Sequence, residues 1–250
     1  MKRKMNLLLA IMAMAVFFSV KSSFAEEKQV FGIDTSVSMY SQYAGGVSGF
    51  VFFDEAVIQP SITLNHNPSG LYAMLWGSYS PQDGFNSDYG DEIDYIAGIN
   101  QDLGPVNIDV YYAYYNCYQL DRHGDGDVNA IGATVTFPEV WMLTPYLEVE
   151  YDWVVGTSEE NGVMYRLGGS FSPIENLTAD ISVGGHGEIY GTCNEVASFA
   201  RLSISYDLEL VEGLILTPEV NFQKRVGYSE DNGGLTDDVI WGGLTVSYAF

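Results

Sequence analysis

The chain has 250 residues and a formal net charge of -23, with only 10 Lys and Arg against 33 Asp and Glu. So acidic a balance excludes nucleic acid as a partner, since phosphate binding needs clustered cations. Its two cysteines allow at most one internal disulfide, which excludes a cysteine-stapled scaffold.

Residues 1–25 have a basic start (Lys2, Arg3, Lys4), an apolar run from Met5 to Val20 and small residues before Ala25. That is the anatomy of a cleaved secretory signal peptide; the apolar run is short for an uncleaved membrane helix. Four of the ten basic residues and no acids lie in this stretch, so its removal would take the charge to -27. Residues 26–250 are expected to form a single domain, because no Pro-, Ser- or charge-rich linker divides them.

From there the chain is read as strands, because the apolar residues recur with a period of two. Two-faced segments fall at 58–65, 92–100, 106–115, 143–154, 177–183, 200–208 and 214–223, with weaker ones near 31–40, 71–79, 130–137 and 163–172. The clearest is LTPYLEVEYDWV. Leu147, Val149, Tyr151 and Trp153 share one face, and Glu148, Glu150 and Asp152 the other. With a terminal segment from Val239 the total is about twelve strands, with ten to fourteen within reach of the pattern.

The connections alternate in length. SQYAGGVSGFVFFDEA is long and NPSG short; SPQDGFNSDYGD is long and QDLGP short, and the alternation persists to the end. An all-β, antiparallel, up-and-down transmembrane barrel has this property, with short periplasmic turns and longer extracellular loops. Its expected place is the outer membrane of a Gram-negative bacterium, as a monomer among outer-membrane lipids.

In such a barrel the charged parity points inward, because a lysine or arginine on the lipid face near the midplane costs roughly 2–4 kcal/mol. The pore-lining candidates are Asp94, Asp109, Glu148, Glu150, Asp152, Arg166, Asp180, Arg201, Asp207 and Glu219, with Asp34 and Glu92 on the same parity. Leu147, Val149, Ile181, Val183, Leu202, Ile204, Leu216 and Val220 face lipid. Tyr72, Trp76, Tyr151, Trp153, Trp241 and Tyr248 suit the interfacial aromatic girdles, although Tyr72 and Trp76 fall on the inward parity unless a bulge moves them.

Other chemistry is sparse. The histidines His66, His123 and His186 fall in turns or loops without a Ser and an acid beside them, so no enzyme is expected. Asp121, Asp125 and Asp127 in DRHGDGD offer oxygen ligands for a loop calcium ion, but without the EF-hand spacing; a solvated acidic loop is the plainer reading. No cofactor is expected. Cys117 and Cys193 lie in the third and fifth outer loops, either as a disulfide across the barrel mouth or as two separate thiols.

The closing residues LTVSYAF, with Val246, Tyr248 and Phe250 on one face, resemble the C-terminal assembly signal of bacterial outer-membrane barrels, which implies the barrel-insertion machinery as a partner. The stretch from about Val37 to Tyr115 resembles the TorF (Gcw_chp-type) porin family. The resemblance rests on YSQYAGG, AVIQPSITLNHNPSGLYAMLWGS and DEIDYIAGINQDLGPVNIDVYYAYY, with Gln42–Gly46 standing where that family typically has a tyrosine and an arginine–glycine. It implies a barrel that passes small solutes by diffusion, and the acidic inward face favours cations or neutral molecules. The competing readings are a non-conducting barrel used for structure or adhesion and, further off, a membrane-embedded lipid enzyme.

Overall fold

A computed structural model describes residues 30–82, 91–117, 126–156, 161–190, 195–226 and 236–250. The signal segment, His123, Asp121, Asp125 and Cys193 lie outside the described residues.

Alternating patterning produces strands and, among the described residues, no helix. In chain order the long strands are β1 (Phe31–Tyr40), β4 (Val57–His66), β5 (Leu71–Ser78), β6 (Glu92–Leu103), β7 (Val106–Asn116), β8 (Val128–Thr136) and β9 (Leu143–Val154). They continue as β10 (Gly162–Ile174), β11 (Leu177–His186), β12 (Glu195–Tyr206), β14 (Leu214–Arg225) and β15 (Val239–Ala249). Each pairs antiparallel with its chain neighbour, β15 returns to β1, and β12 pairs with β14, so the sheet closes as a twelve-stranded up-and-down barrel. The short β13 (Leu208–Val211) continues β12 beyond a break at Asp207. Closure leaves no free edge, the condition for a sheet to stand in lipid.

The two faces separate by burial as the alternation requires. Leu147, Val149 and Tyr151 are exposed on the outward face of β9, while Glu150 and Asp152, of the alternate parity, are buried inside. Outward aromatic residues meet near the long-connection end, where Tyr112 and Tyr151 both lie against Trp153, at 6.3 and 6.0 Å between ring centres. At the opposite end the closing strand sets Tyr248 against Phe250 at 4.5 Å. Phe250 is held by its backbone N–H donating to the Ile33 carbonyl.

Three expected girdle residues turn inward instead. Tyr72 and Trp76 lie on a β4–β5 register that runs without a bulge from His66↔Leu71 to Ser61↔Trp76, so nothing reverses their parity. Trp241 is 5% exposed and shares the inner face of β15 with Gly243, the opposite parity to Val246 and Tyr248.

The inward aromatic residues explain why tyrosine and glycine are both abundant. Tyr72 lies directly opposite Gly98, Tyr111 opposite Gly132, Tyr146 opposite Gly168, and Tyr40 opposite Gly243. In each pair the ring covers the glycine so closely that an added Cβ would sit within 2.5 Å of it. Phe199 covers Gly184 in the same way. The rings lie down against the inner wall because the facing residue has no side chain.

Candidate functional site

The first long connection does not leave the barrel as a plain loop. Tyr43–Ala44 (β2) and Val51–Phe53 (β3) pair as a small hairpin that folds into the lumen. Its apolar tip reaches the far wall. Phe50 is 1% exposed and packs with Met164 and Ile189, its ring 5.1 Å from that of His186. Gly49 takes φ of 69° and lies on the Phe199 ring, where a Cβ would meet Cδ1 at 2.2 Å, so both the backbone conformation and the space require glycine.

Arg201 pins the hairpin. Its Nη2 donates to the Gly45 carbonyl at 2.7 Å and to Gln223 Oε1 at 2.7 Å, and Nη1 reaches the Gly46 carbonyl at 3.4 Å. Gln223 in turn donates from Nε2 to the Gly49 carbonyl at 2.7 Å. The guanidinium is flanked by the rings of Phe199 and Trp241 at 5.1 and 5.0 Å. Trp241 is therefore a clamp for this cation, which accounts for its inward turn. On the opposite side Tyr43 donates to Glu92 at 3.1 Å.

The hairpin divides the lumen. Between it and the wall of β5–β9 is a cavity of about 520 Å³, bordered by Glu92, Asp94, Glu150 and Asp152 and, among the described residues, by no Lys or Arg. A smaller space of about 290 Å³ on the other side holds Arg166, Arg201 and Glu219. Arg166 and Arg201 thus border the space opposite the four acids, together with Glu219.

Tyrosines serve the lumen carboxylates. Tyr111 and Tyr115 both donate to Glu150, the latter at 2.9 Å. Tyr190 donates to Asp152, Tyr72 to Asp109 at 3.2 Å, and Tyr146 to Asp180 at 2.9 Å. Burial, reinforced by Asp152, pushes the Tyr190 phenol well above its ordinary range, so it remains a donor at neutral pH. Arg166 forks onto Glu148 at 2.8 and 2.9 Å.

Of the ten pore-lining candidates, the structure gathers Asp94, Glu150 and Asp152 in the cavity and pairs Glu148 with Arg166. Glu219 accepts from Asn221 at 2.7 Å beside Arg201. Asp109 and Asp180 each take a tyrosine lower in the lumen. Asp207 departs from the set. It sits exposed in the break between β12 and β13 at the short-turn end, accepting from Thr217 at 2.6 Å. Asp127 is buried and accepts from Tyr114, and no group of three His, Cys, Asp or Glu among the described residues is placed to hold a metal. His66 contacts Ser69 at 2.6 Å within its own turn.

Cys117 lines the cavity with its Sγ 3.6 Å from Glu92; burial and then Glu92 and Asp94 push its thiol well above the ordinary range. The choice between a disulfide with Cys193 and two separate thiols falls outside the described residues, because Cys193 does.

Sequence reasoning missed the hairpin and its anchors, Gln223 and the glycines at 45 and 49. A signal was present. GFVFF is a run too apolar for a solvated outer loop, and inside a barrel the lumen is where such a run can be buried.

No family model matches the chain, and no curated protein matches it in sequence. The fold does match solved structures. The KdgM porin aligns with TM-score 0.55 at 7% identity, over 88% of this chain and 99% of that one. The NanC porin aligns with TM-score 0.51 at 8% identity, over 87% and 98%. The COG4313 outer membrane channel from Pseudomonas putida F1 aligns with TM-score 0.52 at 9% identity, over 91% and 100%. The chain therefore has the fold of porin-type outer-membrane barrels.

Proposed function

We propose that the protein is an outer-membrane channel for passive diffusion of small cationic or neutral solutes, in the manner of the porins whose fold it shares. The observation that carries this reading is the closed barrel whose ionisable side chains face a lumen still holding a 520 Å³ space beside the hairpin. Carboxylates confined in low-dielectric walls raise the local concentration of cations and repel anions. A polyanion such as the oligogalacturonate bound by the KdgM porin would be disfavoured here. Val37–Tyr115 resembles the TorF porins, which adds to the reading, and the even strand count fits both termini of the barrel strands lying on the periplasmic side, with the long connections outside.

The test is conductance of the purified protein in planar bilayers. Discrete channels with a reversal potential that favours potassium over chloride are expected, and Glu148→Gln with Glu150→Gln should reduce that preference. No conductance above background would overturn the channel. The pinned hairpin specifically favours the second reading, a plugged barrel used for structure or surface contact, and silence in the bilayer would support it.

A further inference from the structure

The four carboxylates under the hairpin are incompletely served by the protein. Among the described residues no Lys or Arg borders the cavity, so phenol donors and the hydrogen bonds within the pairs Glu92–Asp94 and Glu150–Asp152 are the main compensation. The phenols reach Glu92, Glu150 and one oxygen of Asp152, but Asp94 Oδ1 and Asp152 Oδ1 have no hydrogen-bond partner. Both residues are more than nine-tenths buried, at 5% and 1% exposure, and both border the cavity. Buried carboxylate oxygens left unpartnered in two residues that border this space favour a positive group bound there.

The rest of the wall says what carries that charge. A bare metal ion needs several oxygens converging at one point, and no such group of three exists among the described residues. The cavity is instead walled in part by aromatic rings set at a tilt to one another. Tyr43 lies 5.2 Å from Phe52 and 5.7 Å from Trp76, ring centre to ring centre. Aromatic faces attract an ammonium and bury an apolar body. A volume of 520 Å³ fits a small molecule, within the roughly 300–1,000 Å³ of ligand pockets.

We propose that this cavity binds a compact organic ammonium ion, with Asp94 and Asp152 as its counter-ions and the Tyr43–Trp76 wall as the seat of its apolar part. This rests on the channel reading and names the solute class that the same lumen selects.

The test is titration calorimetry of the detergent-purified protein at neutral pH with 2-phenylethylammonium, its neutral analogue 2-phenylethanol, and calcium chloride. Saturable binding of the ammonium is expected, at least tenfold tighter than the alcohol. Asp94→Asn with Asp152→Asn should weaken it tenfold or more, and Trp76→Leu should weaken it independently, with a strand-rich circular dichroism spectrum as the check on folding. Should the double variant misfold, the unaltered pair remains informative through Cys117 in a Cys193→Ser chain, because an ammonium in the cavity should slow modification of that thiol. Absence of saturable binding, equal affinity for the alcohol, or tighter binding of calcium would overturn the proposal. Cation-selective conductance without ammonium binding removes this proposal and leaves the channel. Binding without conductance removes the channel and leaves the site.

Discussion

Releasing the hairpin from the wall should open the lumen. Arg201→Met keeps most of the side-chain volume between Phe199 and Trp241 and removes the donors that hold Gly45 and Gly46. One short charge-assisted bond and one long one are lost, worth about 2–3 kcal/mol together. Gln223→Leu then removes the neutral bond to Gly49, about 1 kcal/mol more. At 1.4 kcal/mol per tenfold, the pair shifts the docked–undocked equilibrium by roughly 10²–10³. Phe50 still packs with Met164 and Ile189, so the expected result is frequent excursion and not permanent loss of the hairpin. In bilayers the double variant should show a larger mean conductance and slower, noisier transitions than the parent. Chymotrypsin added from outside should cut within Tyr43–Phe53, where aromatic residues are dense. Arg201→Lys keeps the charge but loses the fork, and should fall between parent and double variant; that separates release of the hairpin from a mere change of lumen charge. Unchanged conductance together with unchanged resistance to chymotrypsin would refute the pinning argument.

Three further outcomes follow from single contacts. Gly132→Ala drives a methyl into the Tyr111 ring, 2.2 Å from Cζ, and should cost about 1–3 kcal/mol of overpacking, read as a lower thermal midpoint. Gly46→Ala, whose Cβ would meet nothing within 4 Å, is the control and should be near neutral. Arg166→Met strands Glu148 beside Glu150; it should raise cation preference in reversal-potential measurements while lowering stability by about 1–3 kcal/mol, since the unpaired carboxylate retains some lumen water. In a Cys193→Ser chain, Cys117 should react slowly with a neutral maleimide at pH 7. Its folded pKa is raised, so the thiolate fraction, and the rate, should climb about tenfold per pH unit above neutrality; a rate that levels off near pH 8.5 would contradict the burial.

The barrel was legible because a period of two and an alternation of loop lengths are both one-dimensional signals. Leu147, Val149, Glu148 and Glu150 take their faces from parity alone, and β9 follows that parity to its end. The hairpin was not legible in that way. Its two and three paired residues are too few to show alternation, and its destination is set by Arg201 and Gln223, more than 150 positions away. Trp241 was misplaced for a related reason. Its aromatic character suggests an interface, but its own parity and a distant guanidinium decide its position. Asp207 erred in the other direction: its parity was inward, but the strand breaks there. Parity carries no information about where a strand stops.

In the proposed channel the lumen tyrosines would join stability to cation preference, and the two roles can be separated at Tyr111. Its ring covers Gly132 and its hydroxyl donates to Glu150. Tyr111→Phe keeps the cover and removes the donor. Tyr115 still donates to the same carboxylate at 2.9 Å, so the loss should be held to about 1 kcal/mol, while an altered Glu150 environment should change cation preference. Tyr111→Ala removes both, bares the glycine and leaves a void against the wall. By analogy with aromatic-to-Ala changes in packed cores it should cost about 3–5 kcal/mol. If the ring's main contribution were its hydrogen bond, the two variants would unfold at similar temperatures. A gap of several degrees in the thermal midpoint, with the Phe variant near the parent, is what the Tyr-over-Gly packing requires. Restoring a side chain at the bared position, as Tyr111→Ala with Gly132→Leu, should then recover part of that gap without recovering the parental cation preference.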